Sequence, residues 1–244
     1  MNCFLKRGLH SLALALLAVT IVSSSAAAST ITYTTAADAT AGGLAVDDSA
    51  QFLVGNGTIT VTLNNLQSDM TSVIQNISDL SFSISSGQTS GTLTGSSGQE
   101  ITITDGTGTL GAFVDTGWAL SNNTPAGSLE LCVICATNPG IAPAHTIIGS
   151  GPYPTNGSID TDSHNPFLFG PVTFTLSVPG VTSLDTITSA TFSYGTSLGT
   201  FVPGVACTPG SPDCALTTVP EPATLALLGT GLGLLGVRRK KATA

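Results

Sequence analysis

The sequence predicts a mainly β protein, built as a single antiparallel β-sandwich domain of jelly-roll-like order with one short helix. Three observations support this class. Short segments alternate apolar and polar residues with a period of two. Turn-forming Gly and Ser clusters separate these segments at irregular intervals, and only one short stretch has helical periodicity. A β-solenoid is the alternative, but it requires a repeat of fixed length, and the chain shows none.

The individual elements follow from their local patterns. In residues 57–63, Ile59, Val61 and Leu63 alternate with threonines, as expected for a strand with one buried face. A helix is predicted at residues 66–75, where apolar residues recur at helical spacing. The same reasoning from alternation predicts further strands at residues 30–35, 79–85, 92–94, 100–104, 109–115, 117–121, 128–134, 146–148, 171–178 and 186–194.

The N-terminal residues have the three parts of a secretory signal peptide. Lys6 and Arg7 form a basic start, residues 11–22 are apolar, and small residues end at Ala28. We therefore expect residues 1–28 to direct export and to be removed by signal peptidase, although an uncleaved anchor is the alternative. The domain boundaries predicted from these patterns are 29–202 for the β-sandwich, 203–218 for a linker and 219–244 for a terminal segment.

The terminal segment combines an extended start, an apolar stretch and a basic end. Pro220 and Pro222 flank Glu221 and exclude a helix there. Residues 223–237 carry no charge, and a basic cluster follows at residues 238–241. We expect a short membrane helix, which needs snorkelling basic side chains or a thinned bilayer because a comfortable span takes about 20 residues.

This order of parts resembles the PEP-CTERM sorting signal of exported proteins in Gram-negative bacteria. The resemblance implies export across the inner membrane, anchoring by the C-terminal helix, processing by an exosortase-type membrane enzyme, and then a cell-surface or extracellular location. It also implies a setting of exopolysaccharide matrix and biofilm, and the same tail occurs on proteins labelled ice-binding. The residues assigned to sorting and processing by this resemblance are Pro220, Glu221, Pro222, Arg238 and Arg239.

Charge is segregated along the chain. All six lysines and arginines lie outside residues 29–237 and all 14 acidic residues lie inside, so this body has a formal charge of −14 against −8 for the whole chain. Because phosphate-rich partners are repelled by such a surface, nucleic-acid binding is excluded. Any cationic partner of the acidic groups has to be histidine, a metal ion or another molecule.

No catalytic or cofactor-binding constellation is evident, so we expect a protein that is not an enzyme. Residues 195–199 match the G-x-S-x-G nucleophile elbow, but no histidine follows them in the chain. Weak metal candidates are Asp160, Asp162, His145 and His164, for calcium or for an imidazole-binding metal. The competing interpretation of these four is that they are ordinary loop residues.

Four cysteines follow the signal peptide, and an exported context favours disulfides over structural zinc. Three pairings are possible, and we expect Cys207–Cys214 and Cys132–Cys135. A redox role for the second pair is disfavoured at this level because its segment is predicted to be a strand rather than a helix start.

These features predict an exported structural or adhesive protein of the cell surface or matrix. The alternatives are a polysaccharide-binding module, with or without calcium, then an ice-binding protein, then a secreted hydrolase. A sugar platform would use Trp118, Tyr153, Tyr194 and Phe167, for which core packing is the competing explanation. The ice-binding alternative depends on the alternating threonines Thr58, Thr60, Thr62, Thr102 and Thr104.

Overall fold

The computed structural model describes residues 29–135, 144–155, 157–160, 163–197 and 199–207. The signal peptide, the linker from residue 208 onwards and the whole terminal segment lie outside these residues, as does the predicted membrane helix. Within the described part of the chain, no helix has the length and apolar character needed to cross a membrane.

Strands dominate the described residues, as the alternating pattern predicts. A single 3₁₀ turn, Val73–Gln75, is the helical element of this part of the chain. The strands are β1 Ser29–Thr34, β2 Thr40–Ala41, β3 Leu44–Ala45, β4 Asp48–Gly55, β5 Thr58–Asn65, β6 Ile77–Ile84, β7 Thr92–Thr104, β8 Thr107–Val114, β9 Ala119–Asn122, β10 Leu129–Cys132, β11 Ile147–Ile148, β12 Phe167–Ser177, β13 Ile187–Tyr194, β14 Phe201–Pro203 and β15 Val205–Ala206.

Thirteen strands form one sheet, and β2 and β3 pair separately. The first half of the sheet runs β15, β1, β4, β5, β12, β7 and β8, and the second half contains β14, β13, β6, β10 and β9. The short β11 pairs with β6 in the second half and with β12 in the first, and so joins the halves. The β11–β12 pair is parallel, which departs from the expected purely antiparallel order.

The inward faces of the two halves pack on each other around the main core. Phe52 of β4 and Phe82 of β6 lie 5.1 Å apart between ring centroids, although their strands are distant in the sheet order. Trp118 and Phe174 make a second ring contact at 5.1 Å. The Tyr33 hydroxyl donates to the Ile187 carbonyl at 2.9 Å and ties β1 to β13. The mainly β class is confirmed, and the jelly-roll-like sandwich stays a prediction.

The helix predicted at residues 66–75 is wrong. Asp69 adopts a positive φ of 56°, which a right-handed helix does not accommodate. Leu66 is 45% exposed while Met70 is fully buried, so the apolar residues do not share one helical face. The segment instead ends in the 3₁₀ turn, where Ser72 and Gln75 form a capping box. Packing of the loop against the sheet therefore overrides the local periodicity.

The turn between β7 and β8 positions a long exposed hairpin. Asp105 and Gly106 both have positive φ, at 50° and 72°, which matches the two-residue turn favoured by an Asp-Gly pair. A side chain at Gly106 would approach the Tyr153 carbonyl within 2.9 Å, so glycine is required there on two grounds. Most of β8 is exposed, including Leu110 at 53% and Phe113 at 69%.

Candidate functional site

The outer face of β6 and β10 holds a group of carboxyl, hydroxyl and cysteine side chains. On β6, Leu80 and Phe82 point into the core, so Asp79, which directly precedes Leu80, points to the opposite face. Strand pairing places Asp79 beside Cys132 of β10 and Ser193 of β13. Glu130 lies two residues before Cys132 and therefore on the same face. We call Asp79, Glu130, Ser121, Cys132 and Cys135 the outer cluster.

Asp79 is buried although it lies on the outer face, at 1% exposure. The turn after β10 covers it, and the backbone N–H of Ile134 is directed at its carboxyl group. The Ser78 hydroxyl donates to Asp79 Oδ2 at 2.9 Å. Burial, reinforced by the negative charge of Glu130, raises the pKa of Asp79 to about 7 despite these hydrogen bonds. With this pKa, Asp79 is partly protonated near neutral pH, and burial also raises the pKa of Glu130.

A disulfide joins Cys132 to Cys135 and closes the turn over Asp79. Its two sulfurs have different surroundings, because Cys132 is 1% exposed and Cys135 is exposed to solvent. The Ser121 hydroxyl lies 3.4 Å from Cys135 Sγ and 3.7 Å from Cys132 Sγ. Cys207 is also disulfide-bonded, and its expected partner Cys214 lies outside the described residues.

A second buried carboxyl, Asp48, lies on the inner face at the start of β4. It is fully buried, and the Tyr194 hydroxyl donates to its Oδ2. Its Oδ1 has no hydrogen-bond partner. Burial raises the pKa of Asp48 well above its ordinary range, more strongly than the Tyr194 hydrogen bond lowers it.

His145 and Glu100 form the one ion pair among the described residues, with 3.0 Å between His145 Nε2 and Glu100 Oε1. The other ring nitrogen, Nδ1, lies 2.9 Å from the Thr116 carbonyl, which only accepts hydrogen bonds. Both contacts are satisfied together when the ring is an imidazolium. The His145 carbonyl accepts from Trp118 Nε1 at 2.9 Å, so the backbone is fixed as well. His145 is therefore the basic side chain that lies against a carboxylate in the described part of the body.

The metal candidates are not brought together in the described part of the chain. No group of three or more His, Cys, Asp or Glu side chains there has a metal-binding arrangement. His145 is occupied by Glu100, and Asp160 Oδ1 accepts from the Asp105 amide at 3.1 Å. Burial lowers the pKa of His164. Asp162 lies outside the described residues.

The outer face of the first half carries an uncharged array of mostly small polar side chains, which also includes Leu53 and Gly95. The strand register aligns Thr62 of β5 with Thr173 of β12, and Thr60 with Thr175. No residue of this array is buried. We call this surface the hydroxyl face, and its two rows across β1, β4, β5, β12 and β7 are Thr32, Gln51, Thr62, Thr173 and Ser97, then Thr30, Leu53, Thr60, Thr175 and Gly95.

An open cavity of about 360 Å³ lies at the end of β1, next to the loop that precedes β4. Four of its lining side chains are polar, including Asp47 and Gln67. Thr35, another lining residue, accepts the Asp48 amide through its hydroxyl at 3.0 Å, so the cavity wall continues into the buried aspartate site. This volume accommodates a small polar ligand such as a sugar ring.

The proposed aromatic platform is wrong for three of its four residues. Trp118, Tyr194 and Phe167 are at most 5% exposed and belong to the core. Tyr153 is half-buried and packs on a smaller apolar cluster, with its hydroxyl donating to the Gly149 carbonyl at 2.8 Å. Sequence reasoning also missed Asp48 and Asp79. The alternation of Asp79 with Leu80 and Phe82 marks it as outward, but nothing local shows that a turn buries it.

The predicted sorting function lies in the terminal segment, outside the described residues, and comparison with known families tests it. Residues 218–241 match the family model of the PEP-CTERM protein-sorting motif. The chain carries a PEP-CTERM sorting signal. Such a signal marks a protein for export and for exosortase-type processing at the membrane, so these two expectations are supported. No curated protein and no solved structure matches this chain.

Proposed function

We propose that this PEP-CTERM protein is a non-catalytic structural or adhesive component of the cell surface or the extracellular matrix. The observation that carries the proposal is the sorting motif at residues 218–241. The motif delivers a body that has no lysine or arginine between residues 29 and 237. Such an acidic body repels its own copies and anionic surfaces, and favours contact with neutral polymers or with cations.

The hydroxyl face is the surface we assign to this contact. Its residues are solvent-accessible, uncharged and arranged in two rows across five strands. Neutral hydroxyl and amide groups suit hydrogen bonding to the hydroxyls of an exopolysaccharide, without the desolvation cost of a charged group. In the jelly-roll-like sandwich that we propose for the domain, this face is the outer side of one layer.

Fractionation of the producing bacterium tests the sorting part of the proposal. Full-length protein is compared with a variant lacking residues 218–244 and with a P220A/E221Q/P222A variant, which keeps the apolar stretch and the basic cluster. We expect the full-length protein to reach the surface or the medium through a membrane-bound stage. The triple variant should stay in the membrane fraction, because it keeps the anchor and loses the processing site. Identical distributions of all three proteins would refute the sorting role.

A polysaccharide-binding module is the second candidate, and two observations favour it. The hydroxyl face presents hydrogen-bonding groups, and the cavity of about 360 Å³ beside Asp47 offers room for a sugar ring. Calcium enters this proposal only as a bridge between Asp47 or another carboxylate and a sugar hydroxyl.

Binding to the purified exopolysaccharide of the host, with and without a calcium chelator, separates the candidates. T62V and T173V each remove a hydroxyl from the hydroxyl face and keep the shape and strand preference of the side chain. Each is expected to weaken binding about fivefold, since one hydrogen bond contributes about 1 kcal/mol. T107V on the exposed β8 is the matched control. If the parent protein does not bind, exopolysaccharide is removed as a partner in both candidates, and a structural role without this contact is left. Binding that is unaffected by T62V and T173V excludes the hydroxyl face.

A further inference from the structure

The Cys132–Cys135 disulfide has one accessible and one protected sulfur. Cys135 is exposed, whereas Cys132 is 1% exposed beneath the turn. Attack by an external thiolate requires access along the line of the S–S bond, so Cys135 is the sulfur that it reaches. Cys132 is then the leaving group. This asymmetry defines the direction in which the bond opens.

A carboxyl group is paired across the strands with the cysteine that would leave. Asp79 and Cys132 are paired across β6 and β10, and both point to the outer face. Paired side chains on neighbouring strands have Cβ atoms about 4.5–5.5 Å apart, within reach of proton transfer directly or through one hydroxyl. The Ser121 hydroxyl contacts both sulfurs and stabilises a thiolate at either position.

A purely structural purpose explains this disulfide poorly. The stabilisation that a disulfide gives by restricting the unfolded chain grows with the length of the loop that it closes. Here the two cysteines are three positions apart, which is close to the minimum. The turn is also held by the amide of Val133, which donates to the Ser78 carbonyl at 3.0 Å, and by the Ile134 amide at Asp79. The bond therefore adds little to folding stability.

We propose that Cys132 and Cys135 form a dithiol–disulfide exchange site, with a dithiol as its redox partner and Asp79 as the proton donor and acceptor for Cys132. The inference is independent of the proposed structural role, because it concerns a different face of the sheet. It adds a redox activity to an exported acidic domain.

The reaction balances in two exchange steps. A thiolate of the dithiol attacks Cys135 Sγ, forms a mixed disulfide and displaces the Cys132 thiolate, which takes the proton of Asp79. The second thiolate of the dithiol then attacks the other dithiol sulfur, which is bonded to Cys135 in the mixed disulfide. This step displaces the Cys135 thiolate, which water protonates. The dithiol is oxidised to a disulfide, and two electrons and two protons reach the cysteine pair. Water returns the proton to Asp79.

The charges around Asp79 support this assignment. Among the described residues, Glu130 of β10 is the charged group facing it, and β13 contributes the uncharged Ser193. The pKa of about 7 leaves Asp79 protonated in mildly acidic solution and ionised in alkaline solution. A protonated Asp79 assists the departure of Cys132, while an ionised one repels the forming thiolate.

Reduction of the full-length native protein by dithiothreitol tests the proposal. The rate is followed by alkylation and mass spectrometry from pH 5.5 to 8.5, and is divided by the thiolate concentration of the reagent. Cleavage at Asp and Glu is needed for mapping, because the body contains no site for trypsin. We expect the corrected rate constant to fall by roughly tenfold or more as the pH rises through 7, as the protonated fraction of Asp79 decreases.

Three variants sharpen this test. D79N should be slower than the parent below pH 7 and should lose the pH dependence. E130Q should keep the dependence but move its midpoint to lower pH, because a charge that raises the Asp79 pKa is gone. D38N changes an exposed carboxylate and should match the parent. A flat profile in the parent protein, or a bond reduced only when the protein unfolds, would overturn the proposal even if D79N fails to fold.

Discussion

Asp48 and Asp79 are both buried carboxyl groups, but they lie on opposite faces of the sheet and are enclosed in different ways. Asp48 lies at the end of the inner face, where Tyr194 supplies its hydrogen bond and the two halves of the sheet exclude water. Asp79 lies on the outer face beneath a turn closed by an accessible disulfide. The same burial that makes Asp48 a fixed part of the core therefore makes Asp79 a group that responds to conditions outside.

The first test measures how much the packing of the two halves of the sheet contributes to stability, by removing an aromatic ring at their contact. Phe52 is fully buried and lies against Phe82 at 5.1 Å and Tyr33 at 6.1 Å. F52A should lower the free energy of unfolding by about 3–5 kcal/mol, because it leaves a cavity in the shared core. L53A on the opposite face of the same strand is the control, since Leu53 is 44% exposed, and should change stability by about 0.5 kcal/mol or less. If F52A and L53A lowered the free energy of unfolding in urea by similar amounts, the division into inner and outer faces would be contradicted.

The pH dependence of stability distinguishes the two carboxyls directly. Each has a folded pKa above its unfolded value, so the folded state holds the proton longer and stability falls as pH rises. The expected slope is about 1.4 kcal/mol per pH unit for each group. Asp79 contributes between about pH 4 and its pKa of about 7, and the raised pKa of Asp48 adds a decline in the same direction that also begins near pH 4.

Unfolding curves of the parent, D48N and D79N at a series of pH values check this expectation. D79N should remove the change of slope near pH 7, and D48N should reduce the decline that remains. A parent protein whose stability increases from pH 5 to pH 7 would show that neither carboxyl is protonated in the folded state.

Removing the partner of Asp48 has a smaller effect. Y194F deletes the hydroxyl that donates to Asp48 and leaves the carboxyl without that bond in the core. The expected loss is about 1–3 kcal/mol, the cost of an unsatisfied buried polar group. The double variant Y194F/D48N measures the coupling between the two positions. If Y194F does not change the midpoint of thermal unfolding, Asp48 has another hydrogen-bond partner in the variant. The hydrogen bond from Tyr194 would then not distinguish Asp48 from Asp79.

The strands with a strict period of two could be predicted from the sequence, and long-range pairing explains most of what was missed. Residues 57–63 and 171–178 were assigned correctly because threonine alternates there with residues such as Ile59 and Phe174 that lie in the core. Two short strands predicted within residues 92–104 are one strand, β7, because β12 and β8 pair with its Gly- and Ser-rich middle. β4 was missed although Ala50, Phe52 and Val54 alternate, since the exposed Leu53 breaks the pattern.

The outer cluster shows where sequence reasoning stops. The Cys132–Cys135 spacing suggested a local disulfide, and the structure contains this bond. That Asp79 lies beside Cys132 depends on the register between β6 and β10, which are separated by the whole β7–β8 hairpin and β9. The burial of Asp79 depends in turn on the conformation of the turn after β10. Neither property is encoded in residue type or spacing within one segment.

Glu100 can be compared with the two buried aspartates, because it is partly exposed and lies against His145. Its side chain is 28% exposed, and Nε2 of His145, a side chain that is 21% exposed, lies 3.0 Å from Glu100 Oε1. Because solvent screens such a pair, E100Q should lower the free energy of unfolding by only about 0.2–1 kcal/mol at neutral pH. The loss should shrink further in 1 M salt, where the Debye length is about 3 Å.

H145Q is the matched change on the other side of the pair. If the ion pair is the common cause, E100Q/H145Q should lower the free energy of unfolding by no more than either single variant. If E100Q lowered the free energy of unfolding by more than about 2 kcal/mol, Glu100 would contribute as much as a buried carboxyl. The contrast between enclosed and solvent-exposed carboxyl groups would then be contradicted for Glu100.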